Sequence, residues 1–465
     1  MKLPGVTLTF TGSQHQLLRE HLLPSDGKES VAVALCGRRA GNDRHRLTAH
    51  RLVCIPDASC VRTAETITWP SADVLPALLD EARRKELALL KIHSHPSGFA
   101  EFSSTDNEAD DALFPGVSAW TGGAVDASAV MLPDGNIFGR AHHADGSVSP
   151  LESVCVIGDD ITFWTESSQT LIAQHALRNL QAFGRGTIAL LSRMTVAVVG
   201  CSGTGSFVVE QLARLGVRRM ILVDPDVVEY KNLNRMLNAK STDAALGTSK
   251  VRVLARAVAE MGLGTEVVPI SSDLATPEAV RAIAGADVVF GCMDSVDGRH
   301  LLNRLAATYL IPYFDVGVKL VADGEGSVEE IVGTVHYLRP DGSSLQDRGV
   351  YTQEALQAAA LRRGNPMEYD RRVKEGYIAG TNEDSPAVVS VNGFYASLAV
   401  NEMLARIHKY RWEPNGDFAA YRYSLVKAER YLDAEVGSPA RAFKSSIGRG
   451  DRVPLLDLPE LSEAR

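Results

Sequence analysis

Short apolar runs alternate with amphipathic stretches along most of this chain. ESVAVALCG, LALLKI, TVAVVG, MILV and ADVVFG have the length and composition of buried β-strands. FVVEQLARLG lies between two of these runs and has apolar residues at helical spacing, as does the stretch from 171 to 194. The pattern predicts an α/β fold built from strand–turn–helix–strand units.

Changes in polarity along the chain suggest how it divides into domains. A length of 465 residues predicts two or three domains. The polar stretch AHHADGSVSP predicts the close of the first domain, and VCVIGDDITFW is either its last strand or a connector. The end of the chain is richer in Ser, Gly, Arg and Pro. We therefore predict domains over 1–165 and 166–432, followed by a tail over 433–465.

Composition narrows the class of protein. Hydrophobic residues make up 45% and charged residues 23%, as in soluble globular proteins. The net charge of −9 argues against general binding to nucleic acid or to a membrane. No apolar run approaches the roughly 18 residues that span a bilayer, and MKLPGVTLTFTGSQHQ lacks the apolar stretch of a signal peptide. The expected compartment is the cytoplasm.

The strand LALLKI runs directly into the string HSHPSGFAEFSSTD. His93 and His95 are two residues apart, and such residues on a strand point to the same face, so both imidazoles can approach one metal ion. Pro96 stops the strand, and Ser103 and Asp106 follow on the next turn or helix. Two imidazoles and one carboxylate are the usual protein share of a catalytic zinc site, which leaves the fourth position for water.

This string resembles the signature of the JAMM (MPN/JAB) metalloprotease family, which is His-x-His-Pro, six residues, Ser, two residues, Asp. Every position of the signature is met. The resemblance implies a cytidine-deaminase-like α/β domain with zinc-dependent peptidase or isopeptidase activity. It also implies that His93, His95 and Asp106 bind zinc and that Ser103 helps to stabilise the oxyanion.

The family also uses a Glu on an early strand as general base. Glu29 opens the apolar run ESVAVALCG, and its spacing to Gly37 is one residue longer than the family pattern. Glu65 is the alternative candidate. The chemistry requires a carboxylate within hydrogen-bond reach of the metal-activated water.

A second motif begins with TVAVVGCSGTGS, an apolar strand that runs into a glycine loop. The helix FVVEQLARLG and the strand MILVDPD follow, which is a unit of the nucleotide-binding type. Gly200, Gly203 and Gly205 let the backbone approach phosphate, and the helix amino terminus supplies N–H donors. Asp224, at the end of the second strand, can bind ribose hydroxyls. By itself this unit fits any Rossmann-like enzyme, including a nicotinamide-dependent dehydrogenase.

The residues that follow Asp224 favour adenylation over hydride transfer. DPDVVEYKNLNR contains Asn232 and Arg235, ALGTSKV contains Lys250, and ADVVFGCMD predicts a strand that ends at Asp294. When a carboxylate attacks the α-phosphorus of ATP and pyrophosphate leaves, cations and magnesium must meet the charge on the phosphate oxygens. Hydride transfer needs no such set of residues.

The region from about 174 to 425 resembles the ThiF/MoeB-type, ubiquitin-activating adenylyltransferase family. The resemblance implies a Rossmann-like domain that uses ATP and Mg²⁺. The implied nucleotide-binding residues are Gly200, Gly203, Gly205, Asp224, Asn232, Arg235, Lys250 and Asp294, with Asp224 on the ribose, Arg235 and Lys250 on the triphosphate, and Asp294 on magnesium–ATP.

RNLQAFGRGTIALL matches the amino-terminal helix of that family. This helix often lends an arginine to the ATP site of the neighbouring subunit. Arg178 is the first candidate for that catalytic role and Arg185 the second. The resemblance therefore implies a homodimer.

The segment over 340–384 lies where relatives carry a crossover loop above the substrate tail. It is either a mobile cover or a plain surface insertion. Many relatives form a thioester through a cysteine in or near this loop, but the sequence has no cysteine after Cys292 and no CxxC pair. The acyl-adenylate is therefore expected to pass directly to the thiol of a conjugating enzyme, a sulfur donor or an amine.

Both resemblances converge on a ubiquitin-like or sulfur-carrier protein that ends in glycine. One domain would trim or deconjugate the carrier, and the other would adenylate its C-terminal glycine. The fusion resembles bacterial JAB–ThiF proteins found with ubiquitin-like modification systems, some tied to phage defence. Two alternatives stay open: sulfur-carrier activation for cysteine, thiamine or molybdopterin synthesis, and a JAMM domain that serves only as a scaffold.

Overall fold

A computed structural model describes residues 4–41, 43–123, 125–165, 172–375, 386–435 and 443–462. The chain divides into two compact units. The first comprises residues 1–169, 307–310 and 443–458, and the second comprises 170–306, 311–442 and 459–465.

The first unit contains a nine-stranded mixed sheet, a short hairpin and three helices. Its strands are β1 (Gly5–Thr11), β2 (Val31–Arg39), β3 (Arg44–Cys54), β4 (Val61–Arg62), β5 (Ile67–Thr68), β6 (Ala88–Ser94), β7 (Val125–Met131), β8 (Ile137–His143), β9 (Val148–Pro150), β10 (Ser153–Ile157) and β11 (Ile161–Thr165). Its helices are α1 (Gly12–Leu22), α2 (Ser71–Lys85) and α3 (Ser104–Thr121).

The large sheet has the strand order β11-β10-β1-β3-β2-β6-β7-β8-β9, and β4 and β5 form the separate hairpin. Strand β2 lies between β3 and β6 and is antiparallel to both, whereas β6 and β7 are parallel. VCVIGDDITFW forms β10 and β11, so it belongs to the sheet and is not a connector. AHHADGSVSP lies in β8, β9 and their turn, so the first domain continues past it.

The core of this unit has one layer on each face of the sheet. Successive residues of a strand point to opposite faces, so the alternating apolar residues of β2 supply both layers. Leu18 of α1 packs in one layer, and Leu78 of α2 and Phe114 of α3 pack in the other. Helix α3, which carries part of the predicted metal site, is thereby fixed against the sheet.

Residues 443–458 differ from the predicted tail because they belong to the first unit. The Gly37 amide donates to the Gly448 carbonyl over 3.1 Å, and the Asp451 amide donates to the Arg38 carbonyl over 2.6 Å. Phe443, Leu455 and Leu456 are buried. This polar segment therefore gains its order from backbone pairing with β2 and from three apolar side chains.

The second unit is an eight-stranded sheet with helices. Its strands are β12 (Thr195–Val199), β13 (Arg219–Val223), β14 (Glu266–Ile270), β15 (Val288–Gly291), β16 (Tyr313–Ala322), β17 (Val328–Leu338), β18 (Ala420–Ser424) and β19 (Glu429–Asp433). The helices from 177 to 408 are α4 (Leu177–Leu191), α5 (Gly203–Leu215), α6 (Ser241–Leu246), α7 (Lys250–Met261), α8 (Pro277–Ile283), α9 (Val296–Tyr309), α10 (Gln353–Gly364), α11 (Pro366–Lys374) and α12 (Val389–His408).

The strand order β14-β13-β12-β15-β16-β17-β18-β19 separates two regions. The first five strands in this order, β14, β13, β12, β15 and β16, are parallel to one another. The neighbouring pairs from β16 to β19 are antiparallel. In an open parallel sheet, ligands bind at the carboxyl ends of the strands where the strand order reverses. Here that point lies between β12 and β15, and the predicted α/β class with a Rossmann-like second domain is confirmed.

Within the described ranges, we find no helix that combines the length and the apolar character needed to cross a membrane.

Candidate functional site

Strand β6 brings the two histidines of the first unit together. All seven of its residues are buried, and the His95 amide continues the pairing beyond the strand by donating to the Met131 carbonyl over 3.0 Å. The Nε2 atoms of His93 and His95 lie 3.1 Å apart. The i, i+2 spacing thus places both imidazoles on one face, as predicted.

Asp106 completes this group. Its Oδ1 lies 2.9 Å from His93 Nε2, and its Oδ2 lies 3.3 Å from His95 Nε2. A tetrahedral ion with metal–ligand distances of 2.0–2.1 Å needs ligand atoms about 3.3 Å apart. The three side chains therefore fit one zinc ion with modest adjustment.

Asp106 also takes part in capping the amino terminus of α3. Ser103 is the N-cap residue: its amide and Oγ donate to Asp106 Oδ2 over 2.8 and 2.7 Å, and its Oγ accepts from the Asp106 amide. This is a capping box, with Asp at the position that Glu or Gln usually takes. In physical terms, the Ser-x-x-Asp spacing is a helix start that aims one carboxylate at the histidines.

The capping box predicts a measurable loss in Ser103→Ala. Removing an N-cap hydroxyl costs about 1 kcal/mol, so the amide of Asp106 should exchange its hydrogen faster by the corresponding factor. Ser104→Ala is the matched control, because Ser104 is exposed one residue farther along the helix. Equal exchange rates in the two variants would contradict the cap.

Glu29 reaches the site through the register of β2 and β6. Val31 pairs with His93 in this antiparallel pair, and the Ser94 amide donates to the Ser30 carbonyl, so Glu29 lies opposite His95. Its Oε1 is 3.9 Å from His95 Nε2, and Glu29 is 3% exposed. Glu29 therefore lies near the same two histidines as Asp106, and one ligand atom from each of Glu29, His93 and His95 lies within 4.8 Å of the others.

Glu65, the alternative base, lies in the turn of the β4–β5 hairpin and is exposed. The hairpin nevertheless helps to hold Glu29. Arg62 Nε donates to the Glu29 carbonyl over 2.6 Å, and the Glu29 amide donates to the Thr63 carbonyl over 2.8 Å. The structure thus brings Glu29, and not Glu65, to the histidines.

The surroundings of Asp106 and Glu29 shift the pKa values of these two carboxyl groups in opposite directions. Burial alone would raise the pKa of Asp106, but hydrogen bonds from His93 and His95 outweigh it and hold that pKa well below its usual range. Burial raises the pKa of Glu29 to about 7. Asp106 is therefore ionised, as a metal ligand must be, and Glu29 can exchange a proton near neutral pH, which suits a general base.

The pKa values of the two imidazoles are also shifted in opposite directions. Burial lowers the pKa of His93. It also acts against protonation of His95, but hydrogen bonds to Asp106 and to the Phe99 carbonyl raise the pKa of His95 above its usual value. The second of these bonds, from Nδ1 over 2.8 Å, leaves Nε2 facing the other ligands.

The glycine loop of the second unit lies between β12 and α5. Gly200 has φ +89°, and a side chain there would meet the backbone of Cys292 at 2.7 Å. A Cβ on Gly205 would lie 1.8 Å from the Gly200 carbonyl oxygen. Because neither position has room for a side chain, the loop can present its amides at the helix amino terminus.

Asp224 and Lys250 flank this loop. Asp224 follows β13 and accepts from the Cys201 amide over 2.6 Å and from the Asp226 amide over 2.9 Å. Burial raises the pKa of Asp224, and the charge of Lys250 opposes that shift. Lys250 begins α7, and its Nζ lies 2.6 Å from Asp226 Oδ2. Asp226, the second aspartate of the sequence Asp-Pro-Asp at 224–226, was not among the predicted site residues.

Arg235 also approaches the loop. A Cβ built on Gly203 would lie 3.4 Å from Arg235 Cδ and 2.3 Å from the amide of Asn392. Asn232 is buried in the preceding turn, where its Oδ1 accepts from the Glu229 amide. Asn392 on α12 thus contacts the start of α5.

Asp294 is exposed in the connection from β15 to α9. The predicted strand was too long by three residues, since β15 ends at Gly291. Arg299, on the first turn of α9, is buried, which opposes its charge, but the charge of Asp315 chiefly, with a smaller contribution from Asp294, raises its pKa.

The two candidate arginines of α4 are both exposed. Arg178 donates to Gln181 on its own helix over 3.3 Å, and Arg185 follows a kink at Gly184. Their predicted role in a second subunit stays a prediction. The crossover segment contains α10 and α11, and its last part, 376–385, lies outside the described residues.

The sequence matches two family models. Residues 175–435 match the ThiF family, and residues 13–134 match the prokaryotic homologs of the JAB domain. The first match covers more than half of the chain.

Curated relatives match part of the chain. The Danio rerio protein "Adenylyltransferase and sulfurtransferase MOCS3" is 34% identical over 158 residues, which are 34% of this chain and 32% of that protein. The Haloferax volcanii "SAMP-activating enzyme E1" is 32% identical over 147 residues, which are 32% of this chain and 50% of that protein. The chain thus spans a third to a half of the length of these relatives.

A solved structure of E. coli MccB with ATP is 18% identical to this chain, with a TM-score of 0.43, and the match covers 58% of this chain and 73% of that one.

Proposed function

Because this chain belongs to the ThiF family and carries a JAB domain before its ThiF domain, we propose that it acts twice on one protein terminus. The ThiF domain adenylates the C-terminal glycine of a ubiquitin-like or sulfur-carrier protein. The JAB domain cleaves a peptide or isopeptide bond beside that glycine. The observation that carries the proposal is the gathering of His93, His95, Asp106 and Glu29 in a chain with an adenylation-type nucleotide loop.

The adenylation step forms one bond and breaks another. A C-terminal carboxylate oxygen attacks the α-phosphorus of ATP, and the bond to the bridging oxygen of pyrophosphate breaks. Asp224 holds the ribose, and Arg235 and Lys250 meet the negative charge of the phosphates beside the amides of the glycine loop. Asp294 would help to hold a magnesium ion, which would supply further positive charge to the phosphates.

Two further residues complete the proposed ATP site. Asn232 lies in the turn before Arg235 and contributes a nucleotide contact. Arg178 is proposed to reach the ATP site of the other subunit in a homodimer, with Arg185 as the alternative.

The hydrolytic step uses the residues around the three ligands. His93, His95 and Asp106 would hold a zinc ion, which would supply Lewis acidity to a water molecule and to the scissile carbonyl. Glu29 accepts the proton of the attacking water and returns it to the leaving amine. Ser103 is proposed to donate to the oxyanion, which requires its hydroxyl to leave Asp106.

The two cysteines near the nucleotide loop are poor nucleophiles. Burial raises the pKa of both Cys201 and Cys292 well above the usual range. The acyl-adenylate is therefore proposed to react with an external thiol, sulfur donor or amine, and a conjugating enzyme is one such partner.

We expect Cys292→Ala to form AMP from ATP, carrier protein and an added thiol acceptor at the wild-type rate, because the external thiol takes the acyl group and AMP leaves. Cys201→Ala, in the glycine loop, serves as the second variant. Mass spectrometry of the wild-type reaction should find no adduct that dithiothreitol releases. A releasable adduct that disappears in Cys292→Ala would refute the direct transfer.

The names of the relatives favour different pathways. The Danio rerio relative is named a sulfurtransferase, which favours sulfur-carrier activation as a second candidate function. The Haloferax volcanii relative is named an activating enzyme E1, which favours conjugation. Assays with either a conjugating enzyme or a persulfide donor as acceptor distinguish the two.

Carrier-dependent exchange of labelled pyrophosphate into ATP tests the adenylation directly. The full chain is assayed with each Gly-ending ubiquitin-like protein encoded in its genome, and with the same proteins lacking the terminal glycine. We expect exchange with at least one intact carrier and its loss in Asp224→Ala and Asp294→Ala. Absence of exchange with every carrier would count against the proposal.

A further inference from the structure

Beside the metal ligands, a second buried ion pair joins the same strand and the same helix. Lys91 precedes His93 by two residues on β6, so both side chains point to one face. Lys91 Nζ lies 2.7 Å from Asp110 Oδ1, just as His93 Nε2 lies 2.9 Å from Asp106 Oδ1. Asp110 follows Asp106 by one helical turn. Two consecutive pairs therefore tie one face of α3 to one face of β6.

Arg140 on β8 extends this contact to the ligand itself. Its Nη2 lies 2.6 Å from Asp110 Oδ2 and 3.3 Å from the Asp106 carbonyl oxygen. Its Nη1 donates to Asn107 Oδ1, and its guanidinium lies over the ring of Phe102, 3.9 Å from the centroid. Arg140 thus contacts Phe102, which precedes Asp106 in the chain, and Asp110, which follows it.

A buried carboxylate with this many partners has little freedom to move. Asp110 is 1% exposed and Lys91 is 5% exposed. His142 Nε2 lies 3.6 Å from Asp110 Oδ2, and it hydrogen-bonds to Ser128 over 2.9 Å. Because burying an ion without its partners is costly, any rotation or shift of α3 that separates Asp110 from these groups is strongly opposed.

The three proposed metal ligands differ in the hydrogen bonds and contacts that hold their side chains in place. His95 is held by the Phe99 carbonyl, whereas Nδ1 of His93 is buried and has no hydrogen-bond partner among the described residues. Asp106 is supported by its own capping box and, through the helix, by Asp110. Residues that hold ligands in place commonly change metal affinity when they are replaced.

We infer that Asp110, together with Lys91 and Arg140, is a positioning residue that fixes α3 so that Asp106 meets the histidines at metal-binding distance. This inference rests on the proposed metal centre. Asp110 does not contact the metal ligand atoms, and its role is to set the place of the helix that carries one of them.

The test measures zinc affinity without any assay of hydrolysis. The full-length chain is stripped of metal, and zinc is titrated in competition with a chromophoric chelator. We expect one zinc per chain in the wild type and a dissociation constant raised about 10–100-fold in Asp110→Asn. Asp111→Asn is the matched control, because Asp111 is the next residue of the helix and is exposed.

A double variant separates positioning from plain stability. Asp110→Asn leaves Lys91 buried without its partner, which lowers the unfolding temperature by itself. Lys91→Met with Asp110→Leu removes the buried Lys91–Asp110 pair at similar volume, while Arg140, which also pairs with Asp110 but is 15% exposed, keeps its hydrogen bond to Asn107 Oδ1. We expect this variant to regain most of the unfolding temperature while its zinc affinity stays weakened. The visible spectrum of bound Co²⁺ should also differ from that of the wild type.

The outcomes are distinct. If the wild type binds no zinc, the proposed metal centre fails, and this inference falls with it. If the wild type binds zinc and Asp110→Asn binds it equally tightly, the inference alone is overturned. Wild-type zinc affinity in the double variant would also overturn it.

Discussion

Lys250→Ala is expected to lower carrier-dependent pyrophosphate exchange by about 10²–10³-fold, the usual cost of losing one preorganised group that meets charge in the transition state. Lys250 is buried at the start of α7, and its Nζ lies beside the loop that Asp224 closes. Its charge also acts against the rise in the pKa of Asp224 that burial causes. The variant therefore loses the proposed phosphate contact and weakens the ionised form of Asp224, the proposed ribose ligand.

The fold should tolerate this change. The ion-pair partner, Asp226, has a side chain that is 62% exposed, so water can solvate it once the lysine is gone. Arg252→Ala is the matched control, because Arg252 is exposed on the same helix. A similar loss of exchange in both variants would point to damage to α7 and would remove Lys250 from the ATP site.

Glu29→Gln is expected to lower hydrolysis of a carrier–peptide fusion by about 10²–10⁴-fold, the range for loss of a general base. Glutamine keeps the volume of the side chain but cannot take up a proton. Zinc content should stay at the wild-type level, since the proposed ligands are His93, His95 and Asp106 and do not include Glu29.

Glu65→Gln is the control for that experiment. Glu65 is exposed in the hairpin turn, and we expect its variant to retain full activity. If Glu65→Gln lost hydrolysis and Glu29→Gln kept it, the choice of base would be wrong. The measurement is the rate of peptide release, with metal content determined on the same samples.

The sequence could predict the parts of the site that depend on local spacing. His93 and His95 share a face because they are two residues apart on a strand, and Ser103 and Asp106 form a capping box because they are three residues apart at a helix start. The glycine loop follows from the same kind of local pattern. Each of these features depends on residues that lie only a few positions apart in the sequence.

Features set by strand pairing could not be predicted in this way. Glu29 reaches His95 only because β2 and β6 pair with Val31 opposite His93, and spacing along the chain left Glu65 open as an alternative. Lys91 and Asp110 are brought together by the packing of α3 on β6.

The end of the chain differed from its prediction for a similar reason. Its polar composition predicted a tail, but residues 443–458 pair with the backbone of β2. Backbone hydrogen bonds do not depend on side-chain polarity, so composition gives no sign of them.

Pyrophosphate exchange with an extended carrier most directly tests whether both domains handle one protein tail. The substrate is the carrier identified by the exchange assay, prepared with a short peptide after its terminal glycine. The zinc-loaded wild type should show exchange after a lag, as trimming exposes the glycine. Glu29→Gln should show none with the extended carrier and normal exchange with the mature one. Equal exchange by both proteins on the extended carrier, or none by the wild type on it, would contradict the proposed coupling.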